Sequence, residues 1–364
     1  MHSRTYTPTQ KIIQIDQWKA WRKDIADADG TLAVVTGGFA LWHPGNLTAI
    51  REAAHQASHV CVVIHPPSPE RYGGTSPAPP ERFHRRQGYG GQDGRTSSVL
   101  SGSDQGAAIT STAAHLEMAA HLRAVSMAAT CSPDEAESAL SQLRPFTLVD
   151  CITQKKPGAI ATTARKLANH VVDLTPVAGC WTADIQKAIQ DSHTPVSVPD
   201  AVMAPQPDHH DLDRFLNARA PGRPAIAGSP LVTVNGCFDV LHLGHARLLA
   251  QARNLGARLL VLVNDDNSVR NYKGAGRPIF PIRFRLHALN ALDAVAMAYP
   301  FSGDNPLPLL ATIRPDIHVK GGSFEETRVR EERRLVESWG GRLEIIPLVE
   351  GFSTSGIVNQ MTDR

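Results

Sequence analysis

The sequence predicts two tandem Rossmann-like α/β domains, each built around a parallel sheet. The chain has 364 residues, of which 42% are hydrophobic, enough for two cores of ordinary size. Short apolar runs alternate with amphipathic helical patterns in both halves, and motifs of the second half recur in the first. This alternation is typical of parallel sheets covered on both faces, with ligands at the carboxyl ends of the strands.

The second half shows the alternation most clearly. LVTVNG predicts a buried strand, and GHARLLAQARNLG predicts a helix that we expect Gly256 to end in a left-handed conformation. ARLLVLVND predicts the next strand, and Lys273 is expected in the loop after it. The remaining runs predict a helix, a strand, a charged helix and a last strand: RFRLHALNAL, DIHVKGG, EETRVREERRLVESWGG and RLEIIPL.

The first half repeats these motifs at regular offsets. His242 lies 199 residues after His43, whereas LHALNALDAV lies 170 residues after LEMAAHLRAV. The drop from 199 to 170 indicates about 29 additional residues in the first half, after its strand VCVVI. The segment near 66–113 is rich in Gly, Ser, Pro and Arg and is interpreted as a disordered or loosely ordered insertion.

Domain boundaries follow from the repeat and from composition. A proline-rich stretch at 192–207 is interpreted as a linker. It separates residues 1–191, called here the first half, from residues 208–364, the second half. An amphipathic segment precedes the first strand of each half, IDQWKAWRKDI in one and DLDRFLNARA in the other.

Composition narrows the classes of partner. The net charge of +2 gives no reason to expect nucleic acid. The first residues lack the apolar run of a signal peptide, and no segment reaches the roughly 18–20 apolar residues that span a bilayer. Five scattered cysteines, with no C-x-x-C spacing, argue against a disulfide framework. We therefore expect a cytoplasmic protein that binds neither nucleic acid nor membrane.

The stretch HLGH places His242 and His245 three residues apart where a strand turns into a helix. A helix N-terminus carries free N–H groups and a partial positive charge, which suit a phosphate, and Gly244 is expected to let an anion approach. Two hydrogen-bonded histidines that pack a loop are an alternative. A zinc site is a third interpretation, but no third ligand lies at a familiar spacing.

Further segments supply matching donors. Lys273 is followed by Gly274 and by Arg277, and Lys320 ends a predicted strand beside Gly321. A solvated basic loop is the alternative for the first group, and simple helix caps are the alternative for the hydroxyls of GFSTSGIV, which are Ser353, Thr354 and Ser355.

Taken together, these residues are donors without an obvious nucleophile or general base. That inventory suits direct in-line displacement at phosphorus, in which the attacking group is already anionic and the protein positions it and neutralises charge. The sequence therefore favours phosphoryl-group chemistry at the edge of the second sheet.

At these residues the chain resembles the nucleotidyltransferase superfamily whose signature is G-x-F-D, H-x-G-H and a later S-T-T-x-I. The corresponding segments are Gly236–Asp239, His242–His245 and Ser353–Ile357, with Ser355 in place of the second Thr. Residues about 208 to 361 most resemble the heptose 1-phosphate adenylyltransferase half of bifunctional ADP-heptose synthases. Where that family has a sugar kinase half, this chain has a transferase-like copy.

The resemblance implies transfer of AMP from ATP to a sugar 1-phosphate, with Mg²⁺ held mainly by the triphosphate. His242 and His245 would stabilise charge at the α-phosphate, and Lys273 and Lys320 would act with them. The nucleotide- and phosphate-binding set would be Asn235, Gly236, Phe238, Asp239, Gly244, Arg277, Gly321, Ser353, Thr354 and Ser355. No residue is assigned as a metal ligand.

The first half resembles a degenerate copy of the same domain. It keeps Gly38, Phe39, His43, Gly45 and Thr182. Several positions are lost, since the counterparts of Asp239, His245, Lys320, Ser353 and Ser355 are Ala40, Asn46, Asp150, Trp181 and Ala183. We expect this half to be catalytically silent and to form an intramolecular pseudo-dimer with the second half, a homo-oligomer being the other assembly considered.

Two other functions remain open at this stage. One is a cytidylyltransferase acting on glycerol 3-phosphate or phosphoethanolamine, although PLVEG lacks the arginine of the R-T-x-G-I-S-T-T pattern. The other is a nucleotide-binding or scaffold module without turnover, which has no need of both histidines.

Overall fold

The fold is described from a computed structural model. Its described residues are 6–37, 42–64, 111–151, 159–174, 185, 187, 196–200, 203, 205–217, 230–303, 305–322, 326–347, 352 and 354. Most of the predicted insertion lies outside these ranges, as do Ser353 and Ser355. At the end of that insertion, Ser111 caps a helix that begins at Thr112, so residues 112 and 113 are helical rather than loose.

The first half forms a five-stranded parallel sheet in the order β3-β2-β1-β4-β5. Its strands are β1 (Leu32–Gly37), β2 (His59–Ile64), β3 (Met127–Thr130), β4 (Thr147–Cys151) and β5 (His170–Leu174). Two 3₁₀ turns, Pro8–Lys11 and Ile15–Gln17, come first, and the described helices are Trp18–Asp27, Pro44–Gln56, Thr112–Ala120, Ala136–Leu143 and Ala159–Leu167.

The second half forms another five-stranded parallel sheet, in the order β10-β9-β6-β7-β8. Its strands are β6 (Leu231–Gly236), β7 (Arg258–Asn264), β8 (Met297–Phe301), β9 (Ile317–Gly321) and β10 (Arg342–Ile346). The described helices are His209–Asn217, Leu243–Asn254, Asp266–Lys273, Ile282–Asn290, Leu307–Ile313 and Glu326–Glu337. None of the helices in the described ranges is long and apolar enough to cross a membrane.

The two sheets have the same topology, because each strand of the second occupies the place of the strand five earlier in the first. The helices before β4 and β9 both end in a left-handed arginine, Arg144 and Arg314, with φ of 44° and 48°. The prediction of two tandem α/β parallel sheets is confirmed.

One hydrophobic core joins the halves. It includes Met118 and Leu122 from the first half and Leu249, Phe284 and Leu292 from the second. Two smaller cores each belong to one half, one around Trp18 and the other around Leu310. The halves therefore share apolar surface that neither buries alone.

The contact between the halves is reciprocal at its centre. Leu122 and Leu292 form an isolated antiparallel bridge. Beside it, the N–H of Arg123 donates to the carbonyl of Ala291 and the N–H of Asp293 donates to the carbonyl of His121, each over 2.9 Å. Residues 121–123 are the 170-offset counterparts of 291–293. Arg123 contacts Ala291, and their counterparts Asp293 and His121 contact each other in the same way, as at a two-fold interface.

Two details predicted for the second half are wrong. Gly256 is not among the glycines with positive φ, and a Cβ there would lie 2.5 Å from the carbonyl oxygen of Pro230. Glycine is needed for close packing of the chain rather than for a left-handed turn. Lys273 is the last residue of the helix Asp266–Lys273 rather than part of a loop, and Gly274 after it has φ of 96°.

The proline-rich linker packs against the second half where it is described. Val196 and Val198 are buried in the shared core. The N–H of Val196 donates to the carbonyl of Ile279 over 2.8 Å. This part of the linker is therefore a fixed segment of the fold.

Candidate functional site

The site begins where β6 ends and the chain turns into the helix Leu243–Asn254, called here the histidine helix. In this turn Phe238 and Val240 have φ of 48° and 55°. Residues other than glycine rarely adopt this left-handed backbone conformation, which costs on the order of 1–3 kcal/mol per residue. Contacts with neighbouring residues must therefore hold the turn in place. Arg285, which is 1% exposed, does so by donating to the carbonyls of Cys237 (2.5 Å) and Phe280 (3.1 Å).

The two histidines of the turn stack on each other. The ring centroids of His242 and His245 are 3.8 Å apart with an interplanar angle of 26°, and the ring of Phe238 lies 5.4 Å from that of His245. Both Nδ1 atoms are inaccessible and have no hydrogen-bond partner among the described residues. The imidazoles are therefore brought together, as predicted, with hydrogen-bonding capacity unused.

The electrostatic setting keeps these imidazoles neutral. Burial lowers the pKa of His242 to about 4, and the charge of Lys273 adds to the lowering. Burial, His242 and Lys273 hold the pKa of His245 well below its ordinary value. Lys273 therefore lies close enough to act on both rings. A bound polyanion would oppose these effects and favour protonated imidazoles.

The glycines of the site make room for protein groups. A Cβ on Gly244 would lie 2.9 Å from Cβ of Phe352 and 3.0 Å from Nδ1 of His242. A Cβ on Gly321 would lie 2.4 Å from a methyl group of Leu248, and one on Gly236 would meet the ring of Phe238 at 3.1 Å. In the direction that a Cβ would take, the space at Gly244 and Gly321 is therefore occupied by side chains of the protein.

Asp239 is turned into the protein. Its carboxylate, 2% exposed, accepts the N–H groups of Ile279 and Phe280 at 2.9–3.1 Å and the guanidinium of Arg277 at 3.0 Å. The hydroxyl of Thr354 donates to its carbonyl over 3.0 Å. Asp239 thus ties three segments of the site together, and its predicted contact with nucleotide is replaced by this structural role.

Lys320 lies at the end of β9, beside the end of β6. Its ammonium donates to Oδ1 of Asn235 and to Glu332, each over 2.8 Å. Behind this pair, Nε2 of His318 lies 3.5 Å from Glu332. Burial would raise the pKa of Glu332, but the proximity of His318 and the charge of Lys320 bring it below its ordinary value.

Three residues of the site were not found from the sequence: Arg285, Glu332 and Phe352. Periodicity carried a signal for two of them. Arg285 lies between Phe284 and Leu286 on the buried side of its helix, and Glu332 lies three residues after the buried Val329. A charged residue on an apolar stripe indicates a buried partner. Phe352 offered no such signal.

Comparisons with known proteins concern the same region. The domain model described as cytidylyltransferase-like matches residues 233–360. Bifunctional protein HldE of Syntrophotalea carbinolica is 46% identical over 138 residues, which are 38% of this chain and 28% of that protein. HldE of Coxiella burnetii is 45% identical over 134 residues, or 37% and 28%. The chain thus aligns with less than a third of the length of these relatives.

A solved structure also matches in part. The lipopolysaccharide core biosynthesis protein from Thermoplasma volcanium is 29% identical, with 34% of this chain and 98% of that chain covered. The TM-score is 0.29, too low to support a statement about the fold. Residues 233–360 thus contain a cytidylyltransferase-like domain, which includes the G-x-F-D and H-x-G-H segments at the end of β6.

Proposed function

We propose that the second half is a nucleotidyltransferase that moves the AMP of ATP to a sugar 1-phosphate, with heptose 1-phosphate as the preferred acceptor and ADP-heptose as the product. The observation that carries this is the stacked pair His242 and His245 at a helix N-terminus, where the charge of Lys273 acts on both rings. The similarity of this region to HldE proteins supports the choice of acceptor.

The chemistry needs one displacement. A phosphate oxygen of the acceptor attacks the α-phosphorus of ATP, a new P–O bond forms, and the bond to the bridging α–β oxygen breaks, so that pyrophosphate leaves with its electron pair. The acceptor oxygen is already ionised, so no general base is required. Positioning and neutralisation of charge then account for catalysis.

Four side chains have catalytic roles in this proposal. His242 and His245 donate to oxygens around the α-phosphate, where negative charge accumulates in the transition state. Lys273 adds positive charge beside them, and Lys320 does so from the end of β9, where Asn235 and Glu332 hold its ammonium.

The remaining assignments concern binding. Arg277 would bind phosphate oxygens through guanidinium N–H groups that do not contact Asp239. The hydroxyl of Thr354 would exchange its hydrogen bond to the carbonyl of Asp239 for one to phosphate. Ser353 and Ser355 are proposed for the same function from the sequence alone. Mg²⁺ would be bound mainly through the triphosphate, where it shields charge.

We further propose that the first half is silent and acts as the structural partner of the second in an intramolecular pseudo-dimer. The reciprocal contacts of residues 121–123 with 291–293 support this. The reaction is placed in the cytoplasm, which fits the free thiols of Cys61, Cys131 and Cys237.

Pyrophosphate release over a matrix of nucleotides and phosphorylated acceptors tests the function. The matrix contains ATP, CTP, GTP and UTP against heptose 1-phosphate, glycerol 3-phosphate and phosphoethanolamine. We expect ATP with heptose 1-phosphate to give the highest kcat/KM. Preference for CTP with either other acceptor would replace the proposal by cytidylyl transfer, and nucleotide binding without release in any combination would favour a binding module.

A further inference from the structure

A bidentate ion pair links the first half to the histidine helix. Arg247, two residues after His245, donates from Nε to Oε1 of Glu117 over 2.6 Å and from Nη2 to Oε2 over 2.7 Å. Glu117 belongs to the helix Thr112–Ala120 of the first half. The side chains are 21% and 16% exposed. Two parallel charge-assisted bonds in partly buried surroundings fix orientation as well as distance.

The same arginine reaches the turn that carries the histidines. Its guanidinium carbon lies 5.8 Å from the ring centroid of Phe352. Phe352 in turn packs on Gly244, between His242 and His245, so closely that a Cβ on Gly244 would be 2.9 Å from Cβ of Phe352. A continuous path of contacts therefore runs from a residue of the first half to the candidate catalytic turn.

The pseudo-symmetry of the chain makes this ion pair informative. The 199 and 170 offsets give Thr48 as the counterpart of Arg247 and His287 as the counterpart of Glu117. The helices that carry Thr48 and His287 also pack together. Thr48 has no charge, so the ion pair exists only on the side that leads to the H-x-G-H turn.

We propose that Glu117 of the first half is a positioning residue for the site of the second half. Glu117 holds Arg247, Arg247 positions Phe352 against Gly244, and this packing fixes the orientation of the two imidazoles. The inference rests on the proposed nucleotidyl transfer for its kinetic consequence. It gives the silent half a defined contribution to the reaction, beyond covering apolar surface.

The full chain offers a matched control for a test. Lys11 and Asp293 form another ion pair between the halves, with Nζ and Oδ2 3.4 Å apart. Their other hydrogen bonds in the described part of the chain go to the carbonyls of Leu122 and His121, away from the histidine turn. We expect E117Q to lower kcat about 10-fold with KM nearly unchanged, because misplacement of a catalytic group reduces rate more than binding. D293N should lower kcat less than 2-fold. Equal effects of the two variants on kcat would overturn the proposal.

A double-mutant cycle guards against general destabilisation. R247M should reproduce the loss of kcat in E117Q, and E117Q/R247M should add no further loss, because both residues act through one contact. The double variant also avoids leaving one charge without its partner. Losses of kcat that multiply would show that Glu117 and Arg247 act separately and would contradict the proposal.

A spectroscopic measurement separates this proposal from the proposed function. The Cε1–H resonances of His242 and His245, followed by NMR in the absence of nucleotide, should move in E117Q and stay in place in D293N. If the wild-type chain releases no pyrophosphate with any pair of substrates, the proposed function fails and the NMR result still decides the coupling. Unmoved resonances in E117Q would overturn the coupling whatever the activity.

Discussion

The two halves treat the same turn in opposite ways. In the first half, Nδ1 of His43 accepts the N–H of Asn46 and Oδ1 of Asn46 accepts the N–H of His43, so the pair caps its own helix. In the second half, His242 makes no side-chain cap and both Nδ1 atoms lack partners in the part of the chain that is described. One turn is closed by hydrogen bonds between its own side chains and backbone, and the other has no such side-chain cap.

The strand that pairs with β1 or β6 on the other side of the sheet shows a second difference between the halves. Asp150 at the end of β4 is paired with Arg165 (2.8 Å), whereas its counterpart Lys320 at the end of β9 is paired with Glu332. Both charges are neutralised, but a phosphate would meet a carboxylate in one half and an ammonium in the other. The two halves therefore share one fold and differ in how the protein satisfies the polar groups at this turn and at this strand end.

The largest expected effect comes from giving the second half the turn of the first. H245N should allow hydrogen bonds like those between His43 and Asn46 to form between residues 242 and 245. The free energy of unfolding should therefore stay within about 1 kcal/mol of the wild-type value. It should lower kcat about 1,000-fold through loss of a donor to the transition state. Pyrophosphate release and urea unfolding measure the two quantities.

The reverse exchange, N46H, serves as the control for that prediction. It should leave pyrophosphate release unchanged, because Asp150 and the other replaced residues of the first half remain. If H245N kept wild-type turnover, the contrast between a closed and an open turn would have no catalytic meaning.

The next effect concerns the two strand-end ion pairs. K320M leaves the carboxylate of Glu332 buried without its ammonium and should reduce the free energy of unfolding by about 3 kcal/mol. D150N leaves Arg165, which is 26% exposed and still contacts Asp173, and should cost less than about 1 kcal/mol. Urea denaturation of both variants compares them. Similar losses would remove the distinction between a substitution that leaves a buried charge without its ion pair and one whose remaining charge keeps a second partner.

The smallest effect separates the halves by pH. Burial lowers the pKa of His121 to about 4, and its counterpart in the second half is Ala291. Folding prefers the neutral imidazole, so this contribution to stability is complete above about pH 6.5 and is lost as the pH falls toward 4. H121L should lose less stability over that window.

At pH 5, the wild type and H121L should differ by on the order of 2 kcal/mol in the free energy of unfolding lost relative to pH 7. Thermal or urea unfolding at pH 7 and pH 5 makes the comparison. His242 and His245 contribute in the same direction to both chains and cancel. Identical losses in wild type and H121L would show that His121 is not the source.

The two sheets and the histidine pair could be predicted from the sequence because both depend on the spacing of nearby residues. Apolar periodicity marks each strand, and a spacing of three residues at the start of a helix brings His242 and His245 to the same side of that helix. The helix Asp266–Lys273 was missed because it is polar almost throughout. Its only buried apolar residue is Val269, although Asp265 caps it by accepting the N–H of Ser268.

What spacing could not show was the use of a residue by a distant segment. Asp239 lies forty residues before Ile279, whose N–H it accepts, and no local pattern connects the two. Gly256 illustrates the same limit, since a left-handed turn and a crowded crossing both select glycine. The tertiary contact with Pro230, rather than the residue type, decides between them.

The bridge between Leu122 and Leu292 has a consequence for how the molecule responds to concentration. Two separate subunits that meet across a dyad come apart when they are diluted, and whatever each lends the other is lost. Here both partners of the dyad are stretches of one polypeptide, so their encounter is first order and independent of how many molecules are present. Specific activity should therefore stay constant down to the most dilute solution in which the chain remains folded.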